Sequence, residues 1–272
     1  MKESDFPSEG RARMERKIIV GSRQSHLALT QTEQVLELLR EKAAERGFRL
    51  VFEVRKIVTK GDKILNVTLS KVGGKGLFVK EIEQAMLDGE IDMAVHSMKD
   101  MPAEFPEELV LAAVPKRANP HDCLISRDGL PLDKLPQGAR VGTSSLRREA
   151  QLRAYRPDLQ VVPIRGNIET RMNKIETEGL AAVVLAAAGL ERVGWENRIS
   201  QILPADACVP AVGQGALGIQ CRRSDDSLIE LLRLINDDET ERAVRAERSF
   251  LARLNGGCQI PLGAHGVIEA GA

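Results

Sequence analysis

The chain has 272 residues, 43% of them hydrophobic but only 3% aromatic, so two or three domains can form around cores built from Leu, Ile, Val and Ala. Its 39 Lys and Arg balance 39 Asp and Glu, which argues against a general polyanion binder and against a surface drawn to membranes; the expected partner is small and local. Four cysteines, Cys123, Cys208, Cys221 and Cys258, show no CxxC spacing, which disfavours a zinc site or a disulfide framework and fits a reducing compartment.

Residues 1–16 are charged, lack apolar periodicity and read as a disordered tail with no apolar leader. KIIVG then predicts a buried strand, and Ser25 is placed to cap a helix running to about Glu45, with Leu27, Val35, Leu38 and Leu39 on one side. RLVFEVRKIV predicts a second strand. The Gly- and Lys-rich stretch 59–76 follows as a loop; its VGGKG lacks the GxxxxGK[ST] pattern of a phosphate loop and reads better as a mobile lid. FVKEIEQAMLDG predicts a helix and IDMAVHS a strand, completing an order that generates a parallel sheet with right-handed crossovers. In HSMKDMP, Lys99 and Asp100 stand at the end of that buried strand, where α/β folds place their chemistry.

The second half repeats the plan: RVGTS as strand, SSLRREAQLRAYR as helix, LQVVPI as strand, NIETRMNKIETEG as helix and LAAVVLAAAG as strand. IVGSRQSHLA and RVGTSSLRREA are alike, each a strand ending in V-G-[S/T] followed at once by a polar helix start. Two α/β lobes of one design therefore face a cleft, each offering helix N-termini that suit anions. VGQGALGIQC predicts a strand returning to the first lobe, DDSLIELLRLIN and DDETERAVRAERSFLARLN predict helices, and GVIEA one further strand. No apolar run reaches the ~18 residues of a membrane span. The chain reads as soluble and cytoplasmic.

From Val141 to Arg171 there are six arginines and no lysine. Such a helix is often merely a solvated face, but guanidinium groups without ammonium groups suit planar, bidentate recognition of carboxylates or phosphates. Arg147 and Arg148 also fall in a helix's first turn, where the dipole disfavours cations and a compensating anion is expected. The four histidines show no metal-ligand spacing, and no metal site is expected. Cys258, after Gly256-Gly257 on a loop, is the cysteine with the setting of a reactive thiol.

HSMKDMP, VGTSSLRREAQL, IRGNIETR, AVGQGALGIQ and GGCQIPLG, in that order and spacing, resemble the porphobilinogen deaminase family, also called hydroxymethylbilane synthase, from about Lys17 to the chain end. The resemblance implies an α/β fold of two type II periplasmic-binding-protein-like lobes around a cleft, with a small α+β third domain. Members usually continue further past the cysteine, so that domain is expected to be shortened here. The implied division is 17–116 with 212–236 for the first lobe, 117–211 for the second and 237–272 for the third domain.

By the same resemblance the chain is a transferase of tetrapyrrole and haem biosynthesis. It would join four porphobilinogen molecules head to tail, with loss of ammonia, on a covalent dipyrromethane cofactor, and release hydroxymethylbilane by hydrolysis. Cys258 would carry the cofactor as a thioether. Asp100 with Lys99 would be catalytic, the carboxylate helping to protonate the leaving amine and then stabilising the resulting cation. Ser97, Lys99, Asp100, Thr143, Ser144, Ser145, Arg147, Arg148, Arg171, Arg192, Gln214 and Gly215 would hold the cofactor. Arg23, Ser25, Arg165, Asn167 and Arg171 would hold substrate, and Lys75 and Phe78 belong to the lid. The partner is the small molecule porphobilinogen, with neither nucleic acid nor membrane, and the chain is expected to be a monomer. The rival reading is a non-enzymatic two-lobed carboxylate-binding protein or regulator domain, which leaves Lys99, Asp100 and Cys258 unexplained.

Overall fold

The computed structural model describes residues 15–63, 76–254 and 260–269. The described part of the first half runs β1 (Glu15–Arg23), α1 (His26–Ala44), β2 (Arg49–Ile57), the single turn α2 (Lys60–Lys63), α3 (Lys80–Leu87), β3 (Met93–Ser97), a 3-10 turn (Met98–Asp100) and β4 (Leu109–Ala113). Then come β5 (Asp122–Ser126), β6 (Arg140–Gly142), α4 (Leu146–Tyr155), β7 (Gln160–Val162), α5 (Ile168–Thr177), β8 (Ala182–Ala186), α6 (Ala187–Arg192) and β9 (Gln201–Ile202). β10 (Leu217–Arg222), α7 (Asp226–Leu232) and α8 (Asp238–Arg253) complete the strands and α-helices among the described residues.

Two five-stranded sheets result, ordered β2-β1-β3-β10-β4 and β7-β6-β8-β5-β9. The two orders correspond strand for strand. In each, three neighbouring strands are parallel and the fourth, β10 or β5, is antiparallel. That fourth strand is the first one laid down after the chain crosses from one lobe to the other. The sheets are therefore mixed, where the sequence predicted parallel strands, because each lobe borrows a strand from a chain arriving from its neighbour.

Both sheets are covered on both faces, which explains why MAVHS, LVLAA, DCLIS and AVVLA are nearly continuous apolar runs and not alternating ones. On the first sheet, α1 packs Val35, Leu36 and Leu39 against Ile18, Val20, Met93 and Ile219. α3 packs Ile82 and Met86 against Ile91, Ala94 and Leu109 on the opposite face. The second sheet is sandwiched likewise, with Leu152 of α4 on one side and Met172 and Ile175 of α5 on the other.

The repeated V-G-[S/T] has a packing reason. A Cβ on Gly21 would meet Ile91 Cδ1 at 2.3 Å, and one on Gly142 would meet Leu180 Cδ1 at 2.9 Å and Ile164 Cδ1 at 3.0 Å. Each strand thus passes close over an apolar side chain before turning into its helix. Side-chain caps then fix the starts of those helices: Ser25 Oγ accepts from Ala28 N, Ser145 Oγ from Arg148 N and Asn167 Oδ1 from Thr170 N.

Several expectations need correction. Glu15 and Arg16, assigned to the tail, already belong to β1, where the Arg16 guanidinium reaches Asp225 at 2.6 Å. LAAVVLAAAG divides into β8 and the start of α6, since the alanines after Ala186 favour helix once the sheet ends. β4, β5 and β9 have no counterpart among the expected strands. GVIEA forms no strand among the described residues, and Val267 and Ile268 are exposed.

The two crossovers, 114–121 and 203–216, run side by side, with Ala118 N donating to Gly215 O at 3.1 Å. Gly215 has φ +85°, and a Cβ there would lie 2.6 Å from Ala118 O, so only glycine permits this approach. α8 braces the pair. The buried Glu247 carboxylate accepts from both terminal nitrogens of Arg117, at 2.6 and 3.1 Å, from Gly213 N at 2.6 Å and from Gly266 N at 2.7 Å.

Candidate active site

A cleft of about 770 Å³ lies between the lobes. The turn from β1 into α1 supplies Arg23 and Ser25, and the end of β3 with its 3-10 turn supplies Ser97, Lys99 and Asp100. From the second lobe come Arg148 of α4, Arg165, Asn167 and Arg171 around the start of α5, and Arg192 at the end of α6; Gly215 of the return crossover and Phe78 also line it. Residues distant in sequence are thereby gathered on one surface.

Seven Lys and Arg line the cleft against three carboxylates, Asp62, Asp100 and Glu169. Burial, with crowding at two of the three, weakens the hold of Lys99, Arg171 and Arg192 on their protons. Burial, with Arg148 adding to it, pulls Lys99 down to about 8, against the opposing pull of Asp100 and Asp122. Burial also brings Arg171 to about 10, with Arg148 and Arg165 contributing, and brings Arg192 to about 10. A cation whose charge is disfavoured by burial gains by meeting an anion. Backbone contacts aim two of them: Arg171 Nε donates to Gly166 O at 2.8 Å and Arg192 to Gly215 O at 2.7 Å.

At the first-lobe end, Arg23 is held by the Asp62 carboxylate, with Nε to Oδ1 at 3.2 Å, and its guanidinium lies 4.1 Å from the Phe78 ring centroid. Asp62 in turn accepts from Thr59 N and Thr59 Oγ1. Burial raises the Asp62 carboxyl's pKa, but the Arg23 and Thr59 hydrogen bonds outweigh it and leave the net shift downward. Ser97 Oγ donates to Gln31 Oε1 at 3.1 Å.

Five expected site residues are not among those lining this cleft and bond to other parts of the protein. Thr143 Oγ1 accepts from Ser145 N, Ser144 Oγ donates to Ile164 O at 2.6 Å, and Ser145 caps α4. Gln214 is fully buried and donates to Pro120 O and Asp122 Oδ1. Arg147, expected to offer its fork to a ligand, gives it to Asp122, at 2.6 and 3.2 Å, and to Val209 O at 2.6 Å. The anion called for by two arginines in a helix's first turn is thus built into the protein. Lys75 and Cys258 lie outside the described residues.

Asp122 is the residue that sequence patterns did not reveal. The one signal for it is a carboxylate opening the apolar run DCLIS, which a strand covered on both faces tolerates only when the charge is paired. Asp62, Gln31, Lys174 and Trp195 also stand beside the cleft without a sequence signal to announce them. The three described cysteines are buried, and burial pushes Cys123 and Cys208 up to about 12 and Cys221 up to about 11, the values of unreactive thiols.

Fold and cleft define a two-lobed α/β protein whose cleft is lined mainly by arginines of the second lobe, with a lysine–aspartate turn on the first-lobe side. Residues 18–230 match the family described as "Porphobilinogen deaminase, dipyromethane cofactor binding domain", and residues 241–272 match "Porphobilinogen deaminase, C-terminal domain". A porphobilinogen deaminase of Paenibacillus macerans is 64% identical over 254 residues, covering 93% of this chain and 78% of the relative. One of Geobacillus kaustophilus is 58% identical over 257 residues, covering 94% and 82%. The chain belongs to the porphobilinogen deaminase family. Among solved structures, a substrate-binding domain of a putative amino acid ABC transporter from Streptococcus pneumoniae aligns at TM-score 0.48 and 12% identity, covering 90% of this chain and 96% of that one. A YaeC-family lipoprotein of Enterococcus faecalis aligns at 0.47 and 16%, covering 86% and 96%.

Proposed function

We propose that this cleft joins porphobilinogen units head to tail, with loss of ammonia, and that the chain releases hydroxymethylbilane by hydrolysis. Family membership favours this reading over a non-enzymatic carboxylate binder. The observation that carries it is the placing of Lys99 and Asp100, at the end of β3, opposite the arginines of the second lobe.

The donor set fits a dipyrromethane. Each pyrrole of such a chain carries an acetate and a propionate, and guanidinium forks match carboxylates in pairs. Arg148, Arg171 and Arg192 would hold it, with Ser97, Lys99, Asp100 and Gly215, while Arg23, Ser25, Arg165 and Asn167 would take the incoming substrate. When bound, the group supplies the terminal ring to which porphobilinogen is added. Asp100 acts on the substrate: its carboxyl can deliver a proton to the departing amine and then, ionised, stand beside the cation left behind. The arginines neutralise the carboxylates and fix the rings, so that the reacting carbons meet in register. Thr143, Ser144, Ser145, Arg147 and Gln214 support this wall from behind.

We assign the first lobe to 15–116 with 212–236, the second to 117–211 and the third domain to 237–272, with Cys258 as the attachment point and Lys75 and Phe78 in a lid. The working form is a cytoplasmic monomer that takes a small-molecule substrate and no nucleic acid; no helix among the described residues is long and apolar enough to cross a membrane.

The test is the intact mass of the purified chain. It should exceed the polypeptide by two linked pyrrole units, and Cys258→Ser should remove the excess, because a serine hydroxyl is far less nucleophilic than a thiolate. A bare parent mass, with no porphobilinogen consumed, would defeat the reading.

A further inference from the structure

A single carboxylate at the first residue of β5 organises the inner end of the cleft. Asp122 is fully buried and is met by two guanidinium groups, an amide and a thiol. Arg147 gives both terminal nitrogens to its two oxygens. Arg148 gives Nε at 2.9 Å and a terminal nitrogen at 2.7 Å to Oδ1, and its other terminal nitrogen donates to Val184 O at 3.0 Å. Gln214 Nε2 reaches the same Oδ1 at 2.9 Å, and Cys208 Sγ lies 3.2 Å from Oδ2.

The two arginines are adjacent in sequence but unequal in space. Both are 5% exposed and bound to the same carboxylate, but Arg148 lines the cleft and Arg147 does not. Two positive charges share one negative charge, so the cluster keeps a net positive charge beside the cleft, where Arg148 lines the wall. Gln214 carries the arrangement to the other lobe, since its Oε1 accepts from Lys99 Nζ at 3.5 Å. Asp122 closes the first crossover and Gln214 lies in the second, so their bond also pins the crossovers together.

We propose that Asp122 is a positioning residue for catalysis: it takes up the charge of Arg147, fixes Arg148 at the cleft wall and, through Gln214, ties Lys99 to the same cluster. It touches no substrate and acts through groups that do. The proposal rests on the cleft being the catalytic site. It assigns the tandem arginines different tasks, Arg148 to the ligand and Arg147 to the charge balance behind it.

That balance can be edited. Asp122→Asn adds one positive charge to the cluster, Arg147→Gln removes one, and the double variant restores the parent count. Three measurements read the result: the fraction of chains carrying the covalent dipyrromethane by intact mass, porphobilinogen consumption, and titration of Lys99 followed by NMR of methylated lysines, assigned with Lys99→Arg. The charged groups acting on Lys99 are Arg148, Asp100, Asp122 and Arg147. Asp122→Asn should lower loading or elongation at least tenfold and move the Lys99 titration to lower pH. The double variant should lie nearer the parent than either single variant on all three measurements. If Asp122→Asn does not fold, Arg147→Gln compared with the double variant decides the question in its place.

The proposal is overturned if folded Asp122→Asn loads and elongates within twofold of the parent with Lys99 unmoved, or if the two substitutions simply multiply in the double variant. The Lys99 titration needs no turnover. A parent that consumes no porphobilinogen would therefore defeat the functional reading while leaving the Asp122 test standing.

Discussion

The two lobes reach the cleft by the same device, a strand ending in V-G-[S/T] and a capped helix, yet they secure their arginines differently. In the first lobe Arg23 is paired with Asp62 near solvent, with side-chain exposures of 24% and 15%, and is covered by the Phe78 ring. In the second, Arg147 and Arg148 share Asp122, which is wholly buried. A partly solvated pair contributes little stability and can exchange partners, whereas a desolvated charge must keep its partner because nothing else can replace it. The second lobe therefore presents a fixed anchor, and the first a guanidinium that a ligand carboxylate can take from Asp62.

The sharpest way to break this contrast is to remove each carboxylate in turn. Asp122→Ala leaves two buried guanidinium groups with less than their charge balanced and should cost about 3 to 5 kcal/mol of stability. Asp62→Ala should cost about 1 kcal/mol or less. Urea unfolding of the cofactor-free forms, with equal slopes, reads both. Equal losses would erase the distinction between anchor and exchangeable pair. The sign with pH follows: the two guanidinium groups hold the Asp122 carboxyl well below the usual carboxylate range, although burial alone would raise it. Its contribution is then present at neutral pH and is lost only as pH falls below the unfolded value of about 3.9 towards the folded one.

Next in size is the chemistry proposed for the first lobe. Asp100→Asn is nearly isosteric but has neither the charge nor a proton it can transfer. If the contact has the usual worth of a preorganised electrostatic contribution, about 3 to 4 kcal/mol, single-turnover consumption should slow about a hundred- to a thousandfold in cofactor-loaded protein. Parent-rate elongation would remove Asp100 from the mechanism.

A smaller effect separates grip from charge on the second lobe. Arg171→Lys keeps the positive charge but loses the planar fork and the Nε contact to Gly166 O. A charge-assisted contact of about 1.5 to 3 kcal/mol then goes, and elongation intermediates should accumulate in the mass spectrum about tenfold above the parent level. An unchanged ladder of intermediates would make Arg171 a surface charge.

The smallest expected change concerns Lys99. Held near 8, it loses its proton as pH rises through that value, and the contact it makes as an ammonium weakens. Elongation should decline several-fold between pH 7 and 9, and Lys99→Arg, which stays charged, should flatten that limb of the profile. A decline that persists unchanged in Lys99→Arg would assign the limb to another group.

Local features were legible in the sequence. Ser25 sits where its cap was expected, and the first strands and helices follow from periodicity and capping chemistry, which act within a few residues. What escaped prediction depends on partners far along the chain. Asp122 meets its arginines 25 and 26 residues later and Gln214 92 residues later, and no local pattern distinguishes it from a strand-opening aspartate. Arg147 and Arg148 look equivalent in sequence. Only the packing of β5 under α4 divides their roles. The antiparallel strands escaped for the same reason, since direction within a sheet is set by where the chain arrives from and not by its own residues.

Because β10 lies between β3 and β4, the first sheet lacks an inner strand until residues 217–222 have left the ribosome, whereas the strands of the second sheet all lie within 122–202. The lobe begun first is finished last. Its closure waits on a pairing of very long sequence separation, the kind that slows folding, while the second lobe can condense from contiguous chain. A nascent chain stalled before residue 217 would display the unpaired edge of β3, with β4 lacking any partner in its own sheet, and such edges recruit other chains.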